Sequence, residues 1–416
     1  MKKFIKTITI LLITSACHAQ SNLDTVSLGP SYLNQVWYSL ENDEQGHEPK
    51  NNWDLAFDVA GFGTSIHTNS VNGVMLWTYP YGDTAIWSAI DTTGIAEWTA
   101  QYNSDTTWSL GAADRGIVAS NPYDVGWGIY NPITHIISGD SLFIIKLANG
   151  DYKKLWIINV AGGGYNFKYS EIDGNNLNTV FLSKSNYTAK NFAYYSLENN
   201  TELDREPVVS AEWDLLFTQY TTFIPTPYNV AGVLSNKDVE IAQVDDLNDP
   251  ASYTDWGQHS MTPDINEIGY DWKAFTGAWM LEEDRVYFIR SGTGDIWKVI
   301  FTGFGGSGNG DYIFKKEKLS TVNIDAKDSQ PNLSFMLYPN PSHSSEVNVA
   351  INLFGSYSAV EIELFDLSGR RVLNEKLPNT PGFHIYNLKL KDIESGVYLT
   401  ILHIDNQMIQ KKLIVK

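Results

Sequence analysis

Apolar residues in this chain fall in short runs rather than long stripes. Asp140 to Lys146, Lys154 to Val160, Asp284 to Arg290 and Lys298 to Phe304 are rich in Ile, Val, Phe, Tyr and Trp, residue types that fit a pleated, half-buried surface. Farther on, Val360, Ile362 and Leu364 alternate with Glu361 and Glu363, a period of two that predicts one face in a core and one in water. No long window carries the 3.6-residue period of a helix. The chain therefore reads as all-β, with sandwiches or rolled sheets as the natural architecture. Asn149-Gly150 and Thr293-Gly294 stand between paired runs and predict two-residue hairpin turns.

The pattern is duplicated. Trp37-Tyr38-Ser39-Leu40-Glu41-Asn42, Glu48-Pro49 and Trp53-Asp54-Leu55-Ala56-Phe57 return as Tyr194-Tyr195-Ser196-Leu197-Glu198-Asn199, Glu206-Pro207 and Trp213-Asp214-Leu215-Leu216-Phe217. The hairpin ending at Tyr165-Asn166-Phe167-Lys168 returns in the one ending at Tyr312-Ile313-Phe314-Lys315. A repeat at this period predicts two related units, 33–175 and 190–320. The second keeps the Trp-Asp motif, and Phe223-Ile224-Pro225-Thr226-Pro227 follows it where the first has Ile66-His67-Thr68-Asn69.

At the N-terminus, Lys2, Lys3 and Lys6 precede the apolar run Ile8 to Ile13, the layout of a signal peptide too short to span a bilayer. Cleavage after Ala19 defines a 1–19 signal segment; a lipid anchor on Cys17 is the competing reading. Cys17 is the only cysteine, so a chain cleaved after Ala19 has no disulfide and relies on its buried cores. No later segment has the length and apolarity of a membrane helix. The formal charge is −19, and without the three signal lysines and the charge-balanced tail from Asn332 onward it is −22 for residues 20–331. Acidity of that size disfavours nucleic acid as a partner and is a common solubility device.

There is no Gly-x-Ser-x-Gly elbow, no His-Glu-x-x-His and no cysteine nucleophile, and acid pairs such as Asp245-Asp246 and Glu282-Glu283 lack anything that would separate an acid from a base. The expectation is a non-catalytic binding protein, with an exported hydrolase as one alternative. Nothing in the spacing predicts a metal site. Thirteen tryptophans, with Trp77, Trp87, Trp98, Trp108 and Trp127 crowded into the first unit, support a carbohydrate- or protein-binding module as the other alternative.

Two resemblances sharpen these expectations. Trp53 to Phe57, Ile66 to Asn69, Gly73-Val74 and the late strand pair around Tyr152 to Leu155 resemble the HmuY family of haem-binding surface proteins, taken twice. That resemblance implies a β-domain that holds haem or a related porphyrin between loops through axial side chains. His67, His135, His47 and Met75 are the candidates here, with His259, Met261 and Met280 in the second unit.

Tyr338-Pro339-Asn340-Pro341, the Leu364 to Val372 segment turning at Gly369, Gly396-Val397-Tyr398-Leu399 and the basic ending with Lys411 and Lys412 resemble the type A sorting domain of the type IX secretion system. This second resemblance implies a small seven-stranded β-sandwich over 333–416, read by the type IX machinery and preceded by a linker at 321–332. The product is then secreted or attached to the outer-membrane surface.

Overall fold

The computed structural model describes residues 22–207, 212–320 and, within 335–416, all but 339, 341, 343–345, 354–356, 367, 368, 381, 392 and 406. The signal segment 1–19, the linker 321–332, Pro339 and Pro341 lie outside the described residues. Strands dominate, and helices are single short turns, as the absence of a 3.6-residue period predicts.

Residues 22–320 form two lobes, each a larger sheet faced by a four-stranded one. In the first lobe the larger sheet runs from Asn178–Ser183 through Gly164–Glu171 and Tyr152–Ala161, and Phe143–Lys146 joins it to Met75–Thr78. In the second lobe Asn22–Ser27, Asp311–Ser320, Ile296–Phe304, Val286–Arg290 and Glu240–Val244 lie in that order. Leu55, Phe57, Phe143, Ile145 and Phe167 fill one core; Val36, Tyr38, Phe217, Ile289 and Phe314 fill the other.

The lobes are out of phase with the sequence repeat. Strand Asn34–Ser39, from the first repeat, pairs with Leu215–Phe223 of the second, Tyr38 opposite Leu215. Its counterpart Phe192–Ser196, from the second repeat, pairs with Leu55–Asp58 of the first, Tyr195 opposite Leu55. Each repeat thus lends its leading hairpin to the other's lobe, and strand Asn22–Ser27 closes the second lobe against the last strand of residues 22–320.

The two Trp-Asp motifs lock this exchange. Asp54 Oδ2 accepts the Leu197 N–H at 2.7 Å, with Glu198 N–H and Ser196 Oγ at 3.3 Å; Asp214 Oδ2 accepts the Leu40 N–H at 2.7 Å. Both carboxylates are buried, so the Asp of one repeat caps the Ser-Leu-Glu-Asn turn of the other. An acceptor carrying full charge makes the stronger class of hydrogen bond.

Two local expectations are corrected. The hairpins at Gly150 and Gly294 have three-residue loops: Leu147 and Ser291 each donate N–H to the residue four on, and only the glycine takes a positive φ, 95° and 90°. That is a turn followed by a left-handed residue, which a lone glycine supports and a two-residue turn does not. In addition, Phe223 to Pro227 is not the counterpart of the His-Thr-Asn step. It is the tip of the Leu215–Phe223 and Pro227–Ser235 hairpin. The counterpart of Ile66-His67-Thr68-Asn69 is Val233-Leu234-Ser235-Asn236, because Ala56 faces His67 in one sheet as Leu216 faces Leu234 in the other.

Past residue 334, a three-stranded sheet (Phe335–Tyr338, Glu346–Leu353, Gly382–Lys389) and a four-stranded sheet (Arg371–Lys376, Val360–Phe365, Gly396–Ile404, Gln407–Val415) make a seven-stranded sandwich. Val360, Ile362 and Leu364 point into its core, with Glu361 and Glu363 on the other face, as the alternation predicts.

Candidate functional site

Strand Leu55–Asp58 and the first four residues of Leu215–Phe223 are buried on both faces. Leu55 and Phe57 point into one core and Leu215 and Phe217 into the other, so Ala56 and Leu216 are left facing the seam between the lobes. Side-chain alternation then brings His67, Phe192 and Tyr194 to the seam from one sheet, and Gln35, Thr218, Tyr220 and Leu234 from the other. These residues do not close on one another. A cavity of about 100 Å³ lies between them, walled also by Trp53, Trp108 and Ile265 and rimmed by Lys50, Ser70, Val71 and Asp105.

Segment 103–108 finishes the site. Asn103 pairs both backbone groups of Thr68 through its amide, accepting from N–H at 2.9 Å and donating to C=O at 2.8 Å, and so stands in for a missing neighbouring strand. Gly111 packs so closely that a Cβ there would sit 2.1 Å from the Ile66 carbonyl oxygen. The segment crosses to the second lobe, where Trp108 Nε1–H donates to the Ser235 carbonyl at 2.8 Å and Ile265 N–H to the Thr106 carbonyl at 3.0 Å.

His67 is 4% exposed. Its Nε2 lies 2.8 Å from the Trp108 carbonyl oxygen, an acceptor only, so Nε2 carries the proton and Nδ1 presents its lone pair. Burial, opposed by the Trp108 contact, lowers its pKa to about 4; the ring is neutral at physiological pH. Thr68 Oγ1, Tyr220 OH and Trp53 Nε1 are buried and have no hydrogen-bond partner among the described residues. Native interiors leave few such groups. The two charged groups at the rim are already engaged: Asp105 accepts from Thr222 Oγ1 at 2.6 Å, and Lys50 donates to Gln219 Oε1 and the Ser31 carbonyl.

Of the sequence-derived ligand candidates, only His67 lines this cavity. His47 is exposed on the hairpin strand Asp43–Pro49 beside Glu44, 2.7 Å away. His135, at a positive φ of 58°, meets the Tyr130 hydroxyl at 2.6 Å. Met75 is half-buried against the Trp77 cluster, and His259 meets Tyr253 at 2.7 Å. Among the described residues no three His, Cys, Asp or Glu side chains converge on a metal position.

This set does not fit a haem. A water occupies roughly 10–15 Å³ on such a measure, so the cavity has room for one substituted ring, whereas a porphyrin has four, and a second axial residue is not among its walls. Of the five clustered tryptophans, Trp77 and Trp127 are buried, Trp87 and Trp98 pack on the Trp77 cluster, and only Trp108 reaches the cavity. Gln35, Thr218 and Tyr220 line the cavity and carry no mark in the sequence. The available signal was the departure between the repeats, a histidine at 67 where the other repeat has Leu234.

In the C-terminal sandwich, Asn340 ties the first segment to the last strand, accepting the Ile414 N–H at 2.9 Å and donating to the Lys412 carbonyl at 2.7 Å. Gly369 takes a φ of 81° in a turn closed onto Asp366 at 3.0 Å, Gly396 begins a strand, and Lys411 and Lys412 are exposed on the last one. Among the described residues no helix is long and apolar enough to cross a membrane.

No curated protein matches the chain. The crystal structure of dimeric latent PorU from Porphyromonas gingivalis is similar at 13% identity over 68% of this chain and 32% of that one, with a TM-score of 0.18. This chain thus spans about a third of that protein's length, and a likeness at that score carries no argument. Residues 336–416 match the secretion system C-terminal sorting domain. With its sandwich, its Asn340 tie and its basic last strand, this tail is a type IX sorting domain, and the chain is an exported protein, secreted or attached at the cell surface, that engages the type IX machinery.

Proposed function

We propose that this exported chain is a non-catalytic binding protein and that its ligand sits in the cavity between the two strand-exchanged lobes. The observation that carries the proposal is the cavity itself, lined by His67, Trp108, Phe192, Tyr194, Thr218, Tyr220 and Leu234 where the two lobes meet.

Two features favour binding over hydrolysis. The nitrogen of His67 nearest a hydroxyl, 3.3 Å from Ser65 Oγ, is the one that donates to Trp108, so it is no base for that serine. Asp105 is the only carboxylate among the described lining residues, and hydrolysis of glycosidic bonds needs two.

The test is thermal unfolding of the mature chain against a panel of small polar ligands, with haemin titrated in parallel by Soret absorbance. Stabilisation that disappears in His67→Leu supports the site. A panel that leaves the melting temperature unmoved, with no Soret band, refutes it.

A further inference from the structure

The outer face of the first lobe's larger sheet carries an excess of positive charge. Tyr152, Trp156 and Ile172 lie on that face, away from the core that takes Leu155, Ile157 and Phe167, and side-chain alternation puts Lys154 and Lys168 beside them. The short turn Thr84–Ala89 covers the face with Trp87. Lys154 is 2% exposed, and its Nζ donates to the Trp87 carbonyl at 3.1 Å. Lys168 is half-buried, its Nζ 4.5 Å from the ring centres of both Trp87 and Trp156. Among the described residues neither lysine forms an ion pair, and Lys168 has no hydrogen-bond partner.

The second lobe shows what is missing. Lys298 stands where Lys154 does, each the third residue after a Gly-Asp pair. It too donates to a carbonyl, that of Ala251 at 2.8 Å, but it also pairs with Glu317 at 2.6 Å. Glu317 lies opposite Lys298 across the strand pair, whereas the residue opposite Lys154 is Ser170, whose hydroxyl donates to the Glu171 carbonyl. The Glu171 carboxylate is bound to Lys153. Asp173 acts on Lys154 from the next turn, where the Asn175 N–H and side-chain amide hold it. No acid acts on Lys168; burial and the neighbouring Lys154 charge lower its pKa. The indole frame is also peculiar to the first lobe, since Ile300 and an exposed Lys315 occupy the places of Trp156 and Lys168.

An ammonium drawn partly out of water without a counter-charge is unfavourable, and on a body of formal charge −22 it is a local attractor for anions. The indole faces hold the cation in place and leave its exposed side to a ligand. From this we infer that Lys168, backed by Lys154 and framed by Trp87 and Trp156, is a binding site for the oxyanion, sulfate or carboxylate, of an acidic ligand. None of these residues lines the cavity between the lobes, so this site stands or falls apart from that one.

The experiment reads the site through its own tryptophans. Iodide, an anion that quenches indole emission on contact, is titrated into the mature chain at constant ionic strength, with neutral acrylamide as reference, and sulfate or glucuronate is added as competitor against chloride. Part of the emission is expected to be quenched by iodide more readily than its access to acrylamide accounts for, and to be protected by at least one oxyanion. The protecting one tells a sulfate ester from a carboxylate. Lys168→Met removes the half-buried ammonium, and Ser170→Glu gives Lys154 the partner that Lys298 has. Each variant should raise the oxyanion concentration needed for protection roughly tenfold, as loss of one hydrogen bond to a charged group does; Lys168→Met keeps the test open if Ser170→Glu folds poorly. Emission that iodide does not reach, or that no oxyanion protects beyond chloride, overturns the inference, and so does protection that Lys168→Met leaves intact. Protection lost in Lys168→Met and intact in a folded Ser170→Glu overturns the part given to Lys154.

Discussion

Removing the Asp54 carboxylate is the sharpest test of the strand exchange. In Asp54→Ala the Leu197 N–H loses a 2.7 Å bond to a charged acceptor, and Glu198 N–H and Ser196 Oγ lose 3.3 Å contacts. A bond to a charged group contributes about 1.5–3 kcal/mol, and each longer contact about 0.5 kcal/mol. Against this stands the relief of burying the carboxylate, whose pKa is raised above its usual value by burial. The net expectation is a loss of about 2–3 kcal/mol, with Asp54→Asn, which keeps an acceptor oxygen, losing about 1 kcal/mol.

The assay is urea denaturation of the mature chain followed by tryptophan fluorescence and far-UV circular dichroism. Because the hairpin that Asp54 caps comes from the other repeat, both probes should shift together at an unchanged m-value. A loss below about 0.5 kcal/mol, or a shift in one probe alone, would refute the claim that this carboxylate holds the lobes as one unit.

Four further outcomes follow. Glu206 is buried, which raises its pKa to about 7 from 4.5 against the stabilising Asn191 N–H. A raised folded-state pKa gives stability that is full below pH 4.5 and lost as pH rises through 7, on the order of 3 kcal/mol. Glu206→Gln should flatten that decline in denaturation series at pH 5 and 8. His67, depressed to about 4, acts oppositely: its contribution is present above pH 6.5 and lost as pH falls toward 4, and His67→Leu should remove that loss. Thr68→Val deletes an unpaired buried hydroxyl and should raise stability without ligand by about 1 kcal/mol, read in the same denaturation assay. Deleting residues 336–416 should leave the chain unexported, seen by fractionating the producing cells.

The all-β class, the seven-stranded tail and its alternating strand were legible because period-two patterning is local, as at Val360 to Leu364. The duplication was legible as well, but not which strand pairs with which. Trp37 to Leu40 has the same hydrophobic pattern whether it docks in its own repeat's lobe or the other's, and only tertiary pairing with Leu215 to Phe217 decides. The hairpin loops were misjudged because Asn-Gly suits more than one loop length, and the closing bond of Leu147 to Asp151 settles it. His67 stood out as a residue, but its role did not. Its neighbours in the cavity, Tyr220 and Gln35, are far away in sequence and arrive only through the exchange.

The most direct test of the central claim needs no guess about the ligand. Native mass spectrometry of the chain recovered from the medium or surface of cells exporting it should show, beside the protein, a species heavier by one small molecule. That species should be absent from His67→Leu. A parent that carries no added mass, or a variant that carries the same one, would contradict a ligand site between the lobes.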